Sequence, residues 1–220
     1  MNFEFLLEIM DILGTVAFAV SGAAVAAESC MDLFGMIALA IITATGGGIF
    51  RDIIIGALPP RAFTDPRDVL IAAATAFIMF AVLSRKKKVS SFVEKTYVIA
   101  LFITDTLGLA AFTVEGVLTG VNAGFADNIF LLSFLGFSTA VIGGTVRDIC
   151  AGRIPAIFRK HVYAVAAIVG AVTTSVMLSL GGSRGIYEVI CCVVGFAIVT
   201  ILRILAFCFK WNLPRIRTGR

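Results

Sequence analysis

The stretch "TATGGGIFRDIIIGALP" (residues 43–59) decides how this chain folds. A long apolar run meets three consecutive glycines, an Arg-Asp pair, then Gly56 and Pro59. Glycine disfavours helix, and charges are costly in lipid. Yet the pattern occurs twice. GGIFRDIIIGALP (47–59) and GGTVRDICAGRIP (143–155) agree at 7 of 13 positions, at an offset of 96. Upstream, DILGTVAFAVSG (11–22) and DTLGLAAFTVEG (105–116) agree at 7 of 12, at an offset of 94. Two matched blocks in the same order indicate an internal duplication.

Around these blocks the chain is overwhelmingly apolar. Of its 220 residues 60% are hydrophobic and 15% charged, and the mean hydropathy is +1.04. A hydrocarbon layer about 30 Å thick takes about 20 apolar residues per helix. Seven such runs are present: 5–27, 33–55, 67–84, 96–118, 128–151, 162–180 and 186–208. The expected fold is an all-α polytopic membrane protein. Residues 1–84 hold the first three-helix repeat, 85–95 a basic linker, 96–180 the second repeat, 186–208 a seventh helix and 209–220 a basic tail. Ala24-Val25-Ala26 resembles a signal-peptidase site, but no Lys or Arg precedes Arg51, so the first run reads as a retained helix.

Each repeat has an odd number of spans, so the second copy is expected to cross the membrane inverted. The positive charges agree. Alternating spans put fourteen on one side (Arg85–Lys88, Lys95, Arg147, Arg153, Arg159, Lys160, Arg203, Lys210, Arg215, Arg217 and Arg220) and four on the other (Arg51, Arg61, Arg67 and Arg184). Basic loops face the cytoplasm, so the amino terminus is expected outside and the carboxyl terminus inside. The net charge of +4 then marks topology and contact with anionic lipid, with no nucleic-acid partner implied.

Several chemistries are disfavoured. His161 is the single histidine, which disfavours a His-based metal site; no Ser-His-Asp grouping is evident either, and no enzyme activity or cofactor is expected. The five cysteines form no CxxC pair and read as small apolar residues.

The glycines admit two readings. A helix break at Gly46, Gly47 and Gly48 would free carbonyls that, with the Thr43 and Thr45 hydroxyls, replace part of a cation's hydration shell. Gly143 and Gly144, near Ser138 and Thr139, offer the same from the second copy. Alternatively, glycine lets helices pack closely without any break. Arg51 and Asp52 are neighbours and do not share a helix face. Asp52 is therefore expected to pair with a base on another helix, while Arg51 points into a vestibule as a gate; alternatively, both snorkel to the interface. Arg147 and Asp148 form the equivalent pair. Asp11, Asp105 and Glu115 are intramembrane acids that would attract cations or hold the arginines. Pro59 and Pro155 are expected to stop the helix or shape the next turn.

At "GGGIFRD" and "GGTVRD", within a plan of three, three and one spans, the chain resembles the prokaryotic trimeric intracellular cation (TRIC) channels, which older schemes group with putative glycine transporters. The resemblance implies a homotrimer in the inner (plasma) membrane, with a pore in each protomer. It also implies passage of monovalent cations (potassium and sodium), chiefly potassium, and helices 2 and 5 kinked at Gly46–Gly48 and Gly143–Gly144. The second motif here has two glycines after Ile142, not three. The alternative is a secondary transporter of a small zwitterion such as glycine, with Asp105 or Glu115 holding the ammonium.

Overall fold

In the computed structural model of the chain, residues 3–84, 91–159, 162–181 and 185–211 are described. The basic stretch 85–90, Lys160, His161, Arg184 and the tail beyond 211 lie outside them, as do the side chains of Lys95 and Arg159. Among the described residues, seven long helices form the body: α1 (Phe3–Glu28), α2 (Leu33–Ile55), α4 (Arg67–Ser84), α5 (Ser91–Asn122), α6 (Ile129–Cys150), α8 (Tyr163–Gly181) and α9 (Gly185–Cys208). All seven are long and apolar enough to cross a membrane. Two single-turn helices, α3 (Arg61–Thr64) and α7 (Ala156–Arg159), follow α2 and α6. The chain is an all-helical multi-pass membrane protein.

Local chemistry sets the helix ends. Asp32 caps α2, its Oδ1 accepting from Gly35 N–H at 2.8 Å, and Asn128 caps α6 by accepting from Leu131 N–H at 3.0 Å. α2 ends where Gly56 turns left-handed (φ 76°), a conformation glycine adopts without a Cβ clash. α5 differs from its expected limits. It starts at Ser91, so the end of the expected linker is helical, and it runs to Asn122. The extra turn carries Thr119, whose hydroxyl donates to the Glu115 carboxylate at 3.0 Å.

α1 and α5 form the centre, with 67% and 72% of their apolar windows buried against 11% for α4. They pack on each other, α1 also on α2 and α4, and α5 also on α6 and α8; α2 crosses α6, and α9 lies against α8 and α5. The α1–α5 contact is an interlock. The Phe18 and Phe112 rings meet edge-on at 5.1 Å, each lying over the other helix's glycine, Gly108 or Gly14, where a Cβ would overlap the ring.

Both α2 and α6 run as uninterrupted α-helix through their glycines, so the expected breaks at Gly46–Gly48 and Gly143–Gly144 are absent. The reason is the crossing. A Cβ on Gly47 would collide with the Thr139 carbonyl oxygen, and one on Gly143 with the Thr43 carbonyl oxygen. The glycines are used for close backbone approach, the second of the two readings. Gly46 is less confined, since its Cβ would rest 3.6 Å from Gly143 Cα.

Gly47→Ala and Gly143→Ala are therefore expected to destabilise the fold by about 1–3 kcal/mol through overpacking. Gly46→Ala is expected to leave the Tm in detergent close to that of the parent. Equal Tm values for all three would remove the crossing from this account.

Candidate functional site: two buried arginine clusters

Each Arg-Asp pair sits in the last turns of its helix and closes on itself. Arg51 Nε and Nη2 donate to Asp52 Oδ1 at 2.9 and 2.8 Å. Arg147 binds Asp148 Oδ1 in the same way, at 2.9 and 2.8 Å. This corrects the expectation that Asp52 pairs with another helix. The guanidinium folds back over Gly48 or Gly144, one turn earlier, where even a Cβ would be in ordinary contact, 3.7 or 3.6 Å from Nη2. The second carboxylate oxygen is also held: Asp52 Oδ2 accepts from Arg61 N–H at 2.9 Å, and Asp148 Oδ2 from Ala156 N–H at 2.8 Å. Those amides open α3 and α7, directly after Pro60 and Pro155. Pro60, rather than Pro59, occupies the place equivalent to Pro155.

The third guanidinium nitrogen reaches α5. Arg51 Nη1 pairs with Glu115, while Arg147 Nη1 pairs with Asp105 at 2.8 Å and also donates to Ser21. Ser21 stands at the position of the first block that matches Glu115 in the second. All of these side chains are buried. Charge-assisted bonds of this kind hold a guanidinium in one orientation.

Asp11 does not touch Arg51. It accepts from Arg67 at 2.9 Å and pairs with Arg61 at 3.1 Å, and Arg67 also binds Glu8 at 2.9 Å. Arg203 of α9 joins the second cluster, its Nη2 lying 3.5 Å from Asp105 and its charge between the Phe102 and Tyr163 rings. Counted from the sequence only as a topology signal, Arg203 was legible as an intramembrane charge inside an apolar run. Tyr163 carried no such signal.

Two cavities flank the Arg51–Glu115 pair. One, of about 330 Å³, opens beside Leu7, Pro59, Thr64 and Asn122. The other, about 30 Å³, lies among Thr15, Thr45, Gly48, Phe112 and Thr139. Arg51, Asp52, Arg61 and Glu115 border both. The smaller has room for a water molecule or a bare monovalent ion. Two of its buried oxygens, Glu115 Oε2 and Thr139 Oγ1, have no hydrogen-bond partner. Thr45 lines the same cavity, donating its proton to Ile41 O at 2.8 Å and keeping oxygen lone pairs free. Thr43 and Ser138 are buried, bonded to Leu39 O at 2.6 Å and Leu135 O at 3.3 Å, and line neither cavity.

Removing one member of a buried ion pair strands the other. Asp52→Ala and Asp148→Ala are each expected to cost about 3–5 kcal/mol in denaturant unfolding in micelles. Glu28→Ala breaks a half-exposed pair with Arg153 and is expected to cost under about 1 kcal/mol. A loss for Asp148→Ala no larger than that for Glu28→Ala would contradict this.

The glycine transporter family profile matches residues 8–84 and 102–179. The UPF0126 membrane protein YvgT of Bacillus subtilis is 31% identical over 212 residues, covering 94% of this chain and 95% of the relative. The UPF0126 inner membrane protein YadS of Escherichia coli K12 is 34% identical over 163 residues, 74% of each. Among solved structures, a TRIC trimeric intracellular cation channel orthologue from Rhodobacter sphaeroides superposes with a TM-score of 0.81 at 26% identity, covering 93% of this chain and 98% of that one. A second TRIC cation channel reaches 0.78 at 31% identity, covering 97% and 98%. These neighbours are ion channels, not enzymes. The chain belongs to the UPF0126 membrane-protein family, whose profile is described as glycine transporter, and it has the fold of the TRIC cation channels.

Proposed function

We propose that the protein is a passive channel for monovalent cations, potassium among them, in the bacterial inner membrane. It assembles as a homotrimer with a path inside each protomer, as the trimeric cation channels of the same fold suggest. The amino terminus lies outside, a reading that the charge asymmetry supports. The paired contacts of α1 with α5 and of α2 with α6 support two inverted copies of one three-helix unit.

The carrying observation is the Arg51–Glu115 pair standing between the two cavities. A cation arriving in the outer cavity meets Asp52 and Glu115, which attract it, and Arg51, which repels it. Conduction then requires Arg51 to release Glu115 so that the carboxylate and the Thr45 and Thr139 oxygens face the ion. Arg51 is the gate. Its charge lies within the membrane field, where a full crossing is worth about 2.3 kcal/mol per 100 mV, so opening depends on voltage. Lipid contact falls to the basic inner surface.

A second reading rests on the family description and on the mixed charge of the larger cavity, where Arg51 and Arg61 stand beside Asp52 and Glu115. That arrangement suits the two ends of a zwitterion such as glycine, taken up by a carrier.

Planar-bilayer recording separates the two. Ohmic single-channel currents in KCl establish the channel; saturable, glycine-competed uptake without currents establishes the carrier. Arg51→Gln is expected to lengthen openings or raise conductance, and an unchanged current–voltage curve would remove Arg51 from the gate. Gly47→Leu, which forces α2 from α6, is expected to suppress flux while the protein still inserts.

A further inference from the structure

Nine charged side chains are buried among the described residues, and eight of them belong to the two clusters. The two sets are not balanced alike. On the Arg51 side a single buried arginine stands among three buried carboxylates: Asp52 and Glu115, with which it pairs, and Asp11, which Arg61 and Arg67 hold. The compensating Arg61 and Arg67 stand at the mouth with side chains 42% and 32% exposed. Around Arg147, two buried arginines face two buried carboxylates: Arg147 and Arg203 against Asp105 and Asp148. The difference is Arg203, and it comes from α9, the helix outside the duplication.

Arg203 is held in an unusual way. Its guanidinium lies 5.0 Å from the Phe102 centroid and 4.8 Å from that of Tyr163, so the two rings cradle the charge. It meets Asp105 Oδ2 at 3.5 Å, but Nε and Nη2 make no hydrogen bond. Snorkelling to the interface, the usual fate of an arginine near a helix end, is excluded by its 4% exposure. Charge and ring faces hold it, while Arg147 takes the directional bonds of Asp105 Oδ1.

We propose that Arg203 is the latch of the second cluster: by matching the charge of Asp105 it keeps water and cations out, and it positions that carboxylate for Arg147. The seventh helix thereby turns one copy of a duplicated site into a sealed one, while the other copy keeps an excess of buried carboxylate. The inference rests on the cation-conduction reading for its consequence in transport, though not for the exclusion of water.

Two readouts on the full-length protein in proteoliposomes test it: hydroxyl-radical labelling of the fully buried Tyr163, read by mass spectrometry, and rubidium uptake. Arg203→Met is expected to raise both by about tenfold, because an unmatched buried carboxylate recruits water and cations. Arg203→Lys, which keeps the charge, is expected to stay near the parent. The double variant Arg203→Met/Asp105→Asn loses the same side chain but regains charge balance, and both readouts are expected to fall back towards the parent. A double variant as heavily labelled as Arg203→Met would overturn the proposal, since loosened packing would then explain the effect. So would Arg203→Met labelled no more than the parent. Should Arg203→Met fail to assemble, Arg203→Gln carries the same expectation. Increased labelling without rubidium uptake leaves the latch standing and defeats the channel reading instead.

Discussion

A guanidinium buried among apolar helices needs its charge answered, and much of this molecule follows from doing that twice with fixed hydrogen-bond acceptors, at Arg51 and Arg147. The cost of stranding one partner of a buried pair is several kcal/mol. The duplicated string solves the problem with parts in fixed order. Aspartate supplies the charge at the position after the arginine, and proline starts a short helix whose first N–H clamps the aspartate. Arg51, Asp52 and Pro60 form one such device, and Arg147, Asp148 and Pro155 the other.

Glycines serve a separate purpose. Gly47 and Gly143 bring two helices together against the carbonyls of Thr139 and Thr43, and Gly14 and Gly108 receive the rings of Phe112 and Phe18. Each contact joins one copy to the other, and its counterpart is made by the matched residues. In lipid, where helices gain little from burying apolar surface against each other, such close packing is a principal source of association. The duplication thus encodes an interface as well as a fold.

Much of this was legible in the sequence. Seven apolar runs fell on seven long helices, because hydropathy over about 20 residues is a strong signal. The repeat located both clusters. What the sequence left open was direction. Three glycines in a row look like a break when each is weighed alone, but helix propensity is a weak prior that tertiary contact overrides. Adjacent Arg51 and Asp52 looked unable to meet because face arguments concern Cβ positions, whereas a long side chain can fold back onto its neighbour. Arg203 was hidden in plain view: within a charge count it marked orientation, and only its place between two rings gives it another role. The split of Asp11 from Arg51 was not readable, because it depends on Arg61 and Arg67 arriving from the starts of α3 and α4.

The aspartate that bridges arginine and loop has a mechanical meaning. Asp52 is a single rigid link with Arg51 on one oxygen and the backbone of the surface turn on the other. Displacing that turn drags the carboxylate, and the carboxylate drags the cation. A binder raised against the segment after Gly56 would therefore act as a handle on a charge it never touches, and tugging from the water side is transmitted inward through one side chain.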